Sequence, residues 1–385
     1  MIFVGIDVAK DKHDCFILNS EGTVLADVFT IANNRIGFET LLSRIQSCSQ
    51  GESKIKVGLE ATGHYSYNLL GFLLDSGLAT YVINPLHTNL YRKSLSLRRT
   101  KTDRIDARTI AMMLMSDVDL KSYSNTAYHN EELKSLTRYR FDKVKERAKL
   151  KSSVARLVNI LFPELEKLVS SLHIAVVYAL LSNYPGASYI ANANTEELAE
   201  ILCTASKGRY TKSKTAEIQV AAGVSIGSKM PAKSMELKHT IALIRELDKE
   251  ISEVESAIDK ITSQMDSPIG RHMSAMILAE VGDFSNFASA DKLLAYAGLS
   301  PSTYQSGQLQ NCYAHMEKRG SRYLRYALFN AAKYVCLWCP TFSAYLEKKR
   351  SEGKHYNVAI SHAAKKLVRL IFAMQRSGKA FLADY

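Results

Sequence analysis

Apolar and polar positions in the first part of the chain switch between a strand-like alternation and a helix-like spacing. Short apolar runs bounded by turn residues predict strands, and apolar residues three and four apart predict helices. In chain order the predicted elements are strands 2–7, 13–20 and 23–32, helix 34–46, strand 54–60, helix 65–77 and strand 79–85. The first three strands are separated only by short turns, which indicates an antiparallel meander.

A further helical run begins near Asp103, after the last of these strands. Strand, strand, strand, helix, strand, helix, strand, helix is the order of the ribonuclease H-like fold. We therefore expect an α/β domain of that type over residues 1–125.

Residues 126–262 are expected to form a helical region that links the domains on either side and supports oligomerisation. A long basic helix is predicted at 128–162, then a less patterned stretch at 164–232 with a basic loop at 206–218. A heptad repeat at 237–261 predicts a coiled coil, formed either with the 128–162 helix or with another chain. Its apolar positions are Leu237, Ile244, Ile251 and Ile258, with Thr240, Leu247, Val254 and Ile261.

Residues 263–385 are expected to form a mainly α C-terminal domain. Its first part reads as short helices of a helix-hairpin-helix type, a module that presents backbone N–H groups to phosphates. The expected breaks are at Gly270, Gly282 and Gly298. Basic amphipathic helices are predicted at 318–335 and 358–375.

The charge balance points to a polyanionic partner. Fifty Lys and Arg residues against 38 Asp and Glu give a net charge of +12 and a pI near 9.2. Between residues 85 and 160 there are 17 basic and 8 acidic residues, so much of the excess lies there.

The six cysteines are scattered without a disulfide framework, which indicates a reducing compartment. Cys336 and Cys339 form a lone CxxC in an apolar helical stretch, and without a second ligand pair they favour core packing over zinc binding. The longest apolar stretch, 174–181, is far shorter than the roughly 20 residues that a membrane span needs. The N-terminus leads straight into a strand, with no signal peptide, and we expect a cytoplasmic protein.

Two acidic residues end predicted strands, and two more share one face of a helix. Asp7 ends the first strand and Glu60 the fourth, and these strand ends are neighbours in a ribonuclease H-like sheet. Asp103 and Asp106 lie three residues apart on the helix after the fifth strand. Four converging carboxylates would bind Mg²⁺ or Mn²⁺, whereas each acid taken alone is compatible with a structural role or a solvated surface.

Other readings of the same residues are less well supported. Asp11 and Asp14 are set aside because they are expected past the strand end or on its outer face. A kinase or chaperone-type ATPase also begins with a strand and "GID", but that fold needs a glycine-rich turn where Val8, Ala9 and Lys10 stand.

Several motifs together resemble one protein family. "GIDVAK", "GLEATGHY" and "KTDRIDAR", with "LLAYAGLSPSTYQSG" and "KRGSRYLRYAL" far downstream, resemble the DEDD-type insertion-sequence transposases, the IS-one-ten family. The motifs occur in the family's order along the whole chain. The resemblance implies a RuvC-like nuclease domain in which Asp7, Glu60, Asp103 and Asp106 bind metal.

The resemblance also implies a C-terminal serine nucleophile, which the match of "YQSG" places at Ser306. Ser306 precedes Gly307 in a segment of small and polar residues, and a hydroxyl there needs a base or a metal for activation. Ser300 and Ser302 are alternatives, and Tyr304 would suit a tyrosine recombinase, for which no Arg/His cluster is identified. In this family a structured RNA from the element guides recombination, and the protein acts as a tetramer.

Two groups of basic residues are candidates for phosphate contacts. One flanks the acids and the other follows Ser306, and such contacts position a backbone without reading sequence. They are Arg98, Arg99, Lys101, Arg104 and Arg108, then Lys318, Arg319, Arg322 and Arg325, with Gly320 allowing close approach.

The combined interpretation is a transposase of a bacterial insertion sequence, associated with the nucleoid, that cleaves and exchanges DNA strands with Mg²⁺ and a phosphoserine intermediate. The expected partners are donor and target DNA, a guide RNA bound by the helical region 126–262, and further copies of the chain as a dimer or tetramer. A junction-resolving endonuclease that uses water as its nucleophile and a non-catalytic nucleic-acid-binding assembly protein are the alternatives.

Overall fold

The computed structural model describes residues 1–49, 54–61, 63–83, 85–95, 103–116, 125–263, 271–302, 305–306, 309–310 and 315–378. The chain forms two compact units, Met1–Glu131 and Glu132–Tyr385. The first boundary is close to the predicted one, and the predicted boundary at 262/263 lies inside the second unit. The division into three domains therefore stays a prediction.

The first unit contains a mixed sheet with helices on both faces. Its elements are β1 (Ile2–Val8), β2 (Lys12–Asn19), β3 (Val24–Ala32), α1 (Arg35–Ser49), β4 (Ile55–Glu60), α2 (Tyr67–Asp75), β5 (Ala79–Ile83), α3 (Pro85–Leu95) and α4 (Asp103–Ser116). The sheet order is β3-β2-β1-β4-β5. β1 to β3 are antiparallel, while β4 and β5 run parallel to β1. The element order agrees with the hydrophobic pattern except for α3, which was not predicted.

Alternation along the strands divides the core into two layers. On one face Val4 and Ile6 of β1 pack with α1 and α2. On the other face Phe3 of β1 and Phe16 of β2 pack with α4. A side chain's position in a strand therefore decides which helical layer it meets.

α4 lies unusually close to the strands beneath it because two glycines face it. A Cβ on Gly5 would stand 2.1 Å from the carbonyl oxygen of Ala107 and 2.5 Å from the nitrogen of Ala111. A Cβ on Gly58 of β4 would stand 2.7 Å from a methyl carbon of Leu114. α4 can lie this close to the sheet because glycine has only a hydrogen atom where any other residue has a side chain.

Gly5→Ala should loosen α4 from the sheet. The added methyl meets helix backbone, which cannot move aside like a flexible side chain, so we expect destabilisation of about 1–3 kcal/mol or more. Calorimetry measures the loss of stability, and hydrogen exchange of peptides from β1 and α4 shows where the structure loosens. The control is Gly223→Ala, where the new Cβ meets nothing within 4 Å. Unchanged exchange in α4 would contradict the close contact.

Among its described residues, the second unit is helical apart from one small hairpin. Its elements are α5 (Asn125–Leu161, which crosses the unit boundary), α6 (Leu165–Leu168), α7 (Ala175–Asn183), α8 (Ala187–Ala191), α9 (Thr195–Ser206), α10 (Lys212–Gly223), α11 (Pro231–Thr262), α12 (Arg271–Val281), α13 (Ala290–Tyr296), β6 (Gln305–Ser306), β7 (Leu309–Gln310), α14 (Arg322–Trp338), α15 (Pro340–Ser351) and α16 (Tyr356–Ser377). None of the helices in the described part of the chain is long and apolar enough to cross a membrane.

The long helices α5 and α11 run antiparallel and are joined by ion pairs along their length. The pairs, ordered along α5, are Arg140–Glu255, Lys143–Glu250, Arg147–Asp248 and Arg156–Glu236. Their residue numbers rise on α5 while they fall on α11, which establishes the direction.

The heptad positions of α11 pack within the chain's own clusters. Leu237 and Ile244 join a core with Leu157 of α5, and Ile258 joins a cluster with Leu133. Ile261 departs from the pattern, with 47% of its surface exposed. Of the two alternatives, the structure therefore has α11 packed against α5 of the same chain. A coiled coil with another chain stays a prediction.

The stretch between these helices is more regular than its sequence pattern suggests. It contains α6 to α10, and the basic loop expected at 206–218 is wrong because α10 begins at Lys212. The Thr211 hydroxyl accepts from the Lys214 N–H and caps this helix. Asn194 caps α9 in the same way.

The C-terminal helices share one core. α12 and α13 end before Gly282 and Gly298, whose φ angles are +64° and +66°; Gly270 is outside the described residues. Cys336 of α14 is buried in this core, as expected, and burial raises the pKa of its thiol.

Candidate active site

Asp7 and Glu60 lie on neighbouring strands and point to the same side of the sheet. Ile6 pairs with Leu59 in the parallel register of β1 and β4, so Asp7 and Glu60 follow at the same level. Gly5 and Gly58, two residues earlier on each strand, both face α4. By alternation the two carboxylates therefore project on the α4 side, at the carboxyl ends of their strands.

α4 carries the other two predicted acids over this face. Asp106 is buried, and its Oδ1 accepts a hydrogen bond of 2.8 Å from Nη1 of Arg92 on α3. A second nitrogen of Arg92 donates to Asn89 at 2.9 Å, which fixes the guanidinium. Asp103 begins α4, but its side chain is outside the described part of the structure.

These residues suit a hard divalent cation by their chemistry. Carboxylate oxygens are the ligands that Mg²⁺ and Mn²⁺ prefer, and two of them stand side by side on the sheet. Among the side chains that the structure describes, however, no three His, Cys, Asp or Glu residues come close enough to hold a metal. In this arrangement Asp106 is engaged by Arg92, and the convergence of all four acids stays a prediction.

The structure gives Asp14 a different position from the one expected from sequence. Asp14 lies within β2, opposite Asp7 in the antiparallel register, and is therefore on the same face rather than past the strand end. Its carboxylate accepts a hydrogen bond from the Thr30 hydroxyl of β3. Asp11 is exposed in the turn between β1 and β2.

Ser306 lies in a short antiparallel hairpin and not in a helix. Its backbone pairs with Leu309, which makes it the last paired residue of β6. Below it the two arms are joined from the Ser302 N–H to the His315 carbonyl at 2.8 Å and from the Glu317 N–H to the Ser300 carbonyl at 3.1 Å. The side chain of Ser306, and Tyr304 and Gly307 entirely, lie outside the described residues.

Two family models match the chain. A DEDD transposase model of the IS110 type matches residues 4–163, and a model described as transposase IS116/IS110/IS902 family matches residues 267–347. The first covers the sheet with its acids, and the second covers the hairpin with Ser306. The chain belongs to this family of transposases.

Curated relatives span nearly the whole transposase. An uncharacterized 42 kDa protein of insertion element IS900 from Mycobacterium paratuberculosis is 23% identical over 97% of this chain and 96% of its own length. The pilin gene-inverting protein of Moraxella bovis is 24% identical over 98% and 97%. An uncharacterized 43.6 kDa protein of insertion element IS110 from Streptomyces coelicolor is 24% identical over 98% and 94%.

The predicted phosphate-binding residues of the transposase have different surroundings. Arg108 is exposed on α4, with its guanidinium carbon 5.8 Å from the centre of the Phe16 ring. Arg98, Arg99 and Lys101 are outside the described residues, as is the side chain of Arg104. Their role in binding stays a prediction.

Near the hairpin, two of the predicted basic residues have partners within the protein. Arg325 donates from Nη1 to the carbonyls of Ala297 at 3.1 Å and Lys318 at 3.3 Å. Arg322 lies 3.5 Å from Asp142 and donates to the Tyr323 hydroxyl at 2.6 Å. Lys318 and Arg319 are exposed.

The structure explains why position 320 requires glycine, and the reason differs from the close approach expected from sequence. The φ angle of Gly320 is +108°, and a Cβ would stand 2.2 Å from the carbonyl oxygen of Tyr296. The close approach that requires glycine is therefore to the protein's own backbone.

The distribution of charge also differs from the one inferred from sequence. On α5, five basic residues are paired with acids of α11 or α12: Arg138, Arg140, Lys143, Arg147 and Arg156. Residues 315–378 contain 13 Lys and Arg against 3 Asp and Glu, a larger excess than in 85–160. This C-terminal excess was missed because it is spread over three helices rather than gathered in one run.

Arg92→Gln should loosen the contact between α3 and α4. Asp106 would remain buried without its cationic partner, which should cost about 1–3 kcal/mol. Hydrogen exchange of α3 and α4 peptides measures the loss. Arg35→Gln is the control, because its pair with Glu39 is 89% and 54% exposed and should contribute less than about 1 kcal/mol. Equal effects of the two changes would show that the Arg92 pair has no special importance.

Proposed function

We propose that the transposase is an insertion-sequence recombinase that cuts and rejoins DNA through a transient phosphoserine bond at Ser306. Asp7, Glu60, Asp103 and Asp106 would hold the divalent ion, Mg²⁺ or Mn²⁺. The observation that carries the proposal is the shared face of Asp7 and Glu60 beneath α4, in a sheet of order β3-β2-β1-β4-β5. This order supports a ribonuclease H-like, RuvC-like fold.

The serine step conserves the number of phosphoester bonds. The Oγ of Ser306 attacks phosphorus, a P–Oγ bond forms, and the bond to the 3′ oxygen breaks. The proton of the serine hydroxyl ends on that oxygen, which leaves a 3′-hydroxyl and a 5′-phosphoserine. A 3′-hydroxyl of a partner strand reverses the step on the same phosphorus, so no ATP is needed.

The protein groups have separate tasks in this scheme. A bound divalent ion would offset the negative charge that develops on the phosphate oxygens. The hairpin keeps Ser306 outside a packed helix, where a DNA strand can approach it. Arg92 holds Asp106 from α3, and exposed cations such as Arg108 and Lys318 contact phosphates without reading sequence.

Donor and target DNA are the substrates in this proposal, and a structured guide RNA from the element supplies sequence recognition. The name of the Moraxella relative refers to inversion of a DNA segment, which is also an exchange of strands without net synthesis. The basic excess of residues 315–378 supports a nucleic-acid surface on the C-terminal helices. We propose assembly as a dimer or tetramer in the bacterial cytoplasm, at the nucleoid.

A covalent adduct between protein and DNA tests the proposal. The protein is incubated with guide RNA, Mg²⁺ and end-labelled donor DNA, quenched in denaturant and separated by size. We expect an adduct in the wild type and none in Ser306→Ala or Asp7→Asn, because each change removes a group that the step requires.

Ser302→Ala and Asp11→Asn are the matched controls and should retain the adduct. Ser302 accepts from the His315 N–H in the lower part of the hairpin, and Asp11 is exposed outside the strand. Cleaved DNA without an adduct, unaffected by Ser306→Ala, would instead indicate an endonuclease that uses water.

A further inference from the structure

Glu280, near the end of α12, is a carboxylate buried completely inside the C-terminal unit. Its side chain is 0% exposed, and both oxygens are used. Arg138 of α5 donates to Oε1 through Nε and to Oε2 through Nη2 at 3.0 Å. A buried charge is tolerated only when it is paired and hydrogen-bonded in this way.

The same carboxylate holds the start of α14. The Ser321 hydroxyl donates to Oε2 of Glu280 at 2.6 Å and accepts from the Leu324 N–H at 3.1 Å, which makes Ser321 the cap of that helix. The backbone carbonyl of Glu280 accepts from the Tyr296 hydroxyl at 3.2 Å. Glu280 therefore connects α5, α12, α13 and α14 at one point.

This point is also the foot of the hairpin that carries Ser306. The Ser321 N–H donates to the Tyr296 carbonyl at 2.9 Å, which ties together the two chain segments that lead into the hairpin. Arg325 bridges the same two segments through the carbonyls of Ala297 and Lys318. Further along the described residues, Pro301 pairs with Met316, and Ser306 of β6 pairs with Leu309 of β7.

Arg138 brings the long helix α5 into the same arrangement. Its guanidinium carbon lies 4.8 Å from the centre of the ring of Tyr323, the second residue of α14. Phe141, three residues further along α5, packs edge-on against Tyr323 and Tyr326. The foot of the hairpin is therefore fixed to α5 by the ion pair between Arg138 and the buried carboxylate of Glu280 and by an aromatic contact.

We infer that Glu280 is a positioning residue for the nucleophile: paired with Arg138, it fixes Ser321 and thereby the direction in which the hairpin presents Ser306. This rests on the proposed function of Ser306. A displacement of about 1 Å in a reacting group can reduce a rate on the order of 100-fold. DNA binding through exposed cations does not depend on the position of that group.

Glu280→Gln tests the inference in the full-length protein with guide RNA, Mg²⁺ and donor DNA. The amide keeps the size of the side chain but places N–H donors where Arg138 and Ser321 also donate. We expect the rate of adduct formation at saturating DNA to fall about 10- to 100-fold. The DNA concentration for half-maximal rate should stay within about twofold.

Ser321→Ala is the second variant, since it removes the link to Glu280 without removing the ion pair between Glu280 and Arg138. Its matched control is Ser289→Ala, which removes the cap of α13 with no contact to Glu280. We expect slower adduct formation in Ser321→Ala, a wild-type rate in Ser289→Ala and recovery in Ser321→Thr, which keeps the hydroxyl.

The outcomes separate this inference from the proposed function. A wild-type rate in Glu280→Gln and Ser321→Ala overturns the positioning role and leaves Ser306 as nucleophile. An equal loss in Ser289→Ala and Ser321→Ala overturns it as well, since the effect would then be one of helix stability. A wild type that forms no adduct dependent on Ser306 overturns the proposed function and this inference together.

Discussion

The contact between the backbone of α4 and Gly5 is the constraint on which the first unit depends. A single methyl group on Gly5 would stand 2.1 Å from the Ala107 carbonyl oxygen. At this distance the helix covers the strands that carry Asp7 and Glu60 near their carboxyl ends, and Asp106 directly precedes Ala107 in the chain. The same contact therefore serves packing and sets the distance of α4, which carries Asp106, from the strands that carry Asp7 and Glu60.

Charge in the second unit serves two different purposes. Along α5 and α11 opposite charges neutralise each other in pairs, most of them partly exposed, and such pairs contribute modestly to stability. Glu280 differs because its carboxylate is buried, and removing Arg138 would leave that charge without a cationic partner. A separate basic excess, 13 Lys and Arg against 3 Asp and Glu, lies in residues 315–378.

The sheet could be predicted from sequence because its strands are short apolar runs separated by turns, and the order of elements then restricts the topology. The common face of Asp7 and Glu60 follows from alternation once the register is known. α3 was missed, because "PLHTNLYRKSL" has no clear apolar stripe. The ion pair between Arg92 and Asp106 therefore could not be predicted.

Other features depend on contacts between residues far apart in the chain. Glu280 is one glutamate in an apolar helix, and only its pairing with Arg138, 142 positions away, shows its importance. The helices between 164 and 224 are short, and α7 is apolar on nearly all sides, so its periodicity carries no signal. In these places the structure is decided by tertiary packing, which the local pattern of apolar and polar residues does not reveal.

Binding of Mn²⁺, followed by the loss of the free-ion signal in electron paramagnetic resonance, tests most directly whether the acids beneath α4 form a metal site. The account predicts binding by the full-length wild type, affinity at least about tenfold weaker in Asp7→Asn and Glu60→Gln, and no change in Asp11→Asn. Wild-type affinity in both Asp7→Asn and Glu60→Gln would contradict a metal site on this face of the sheet.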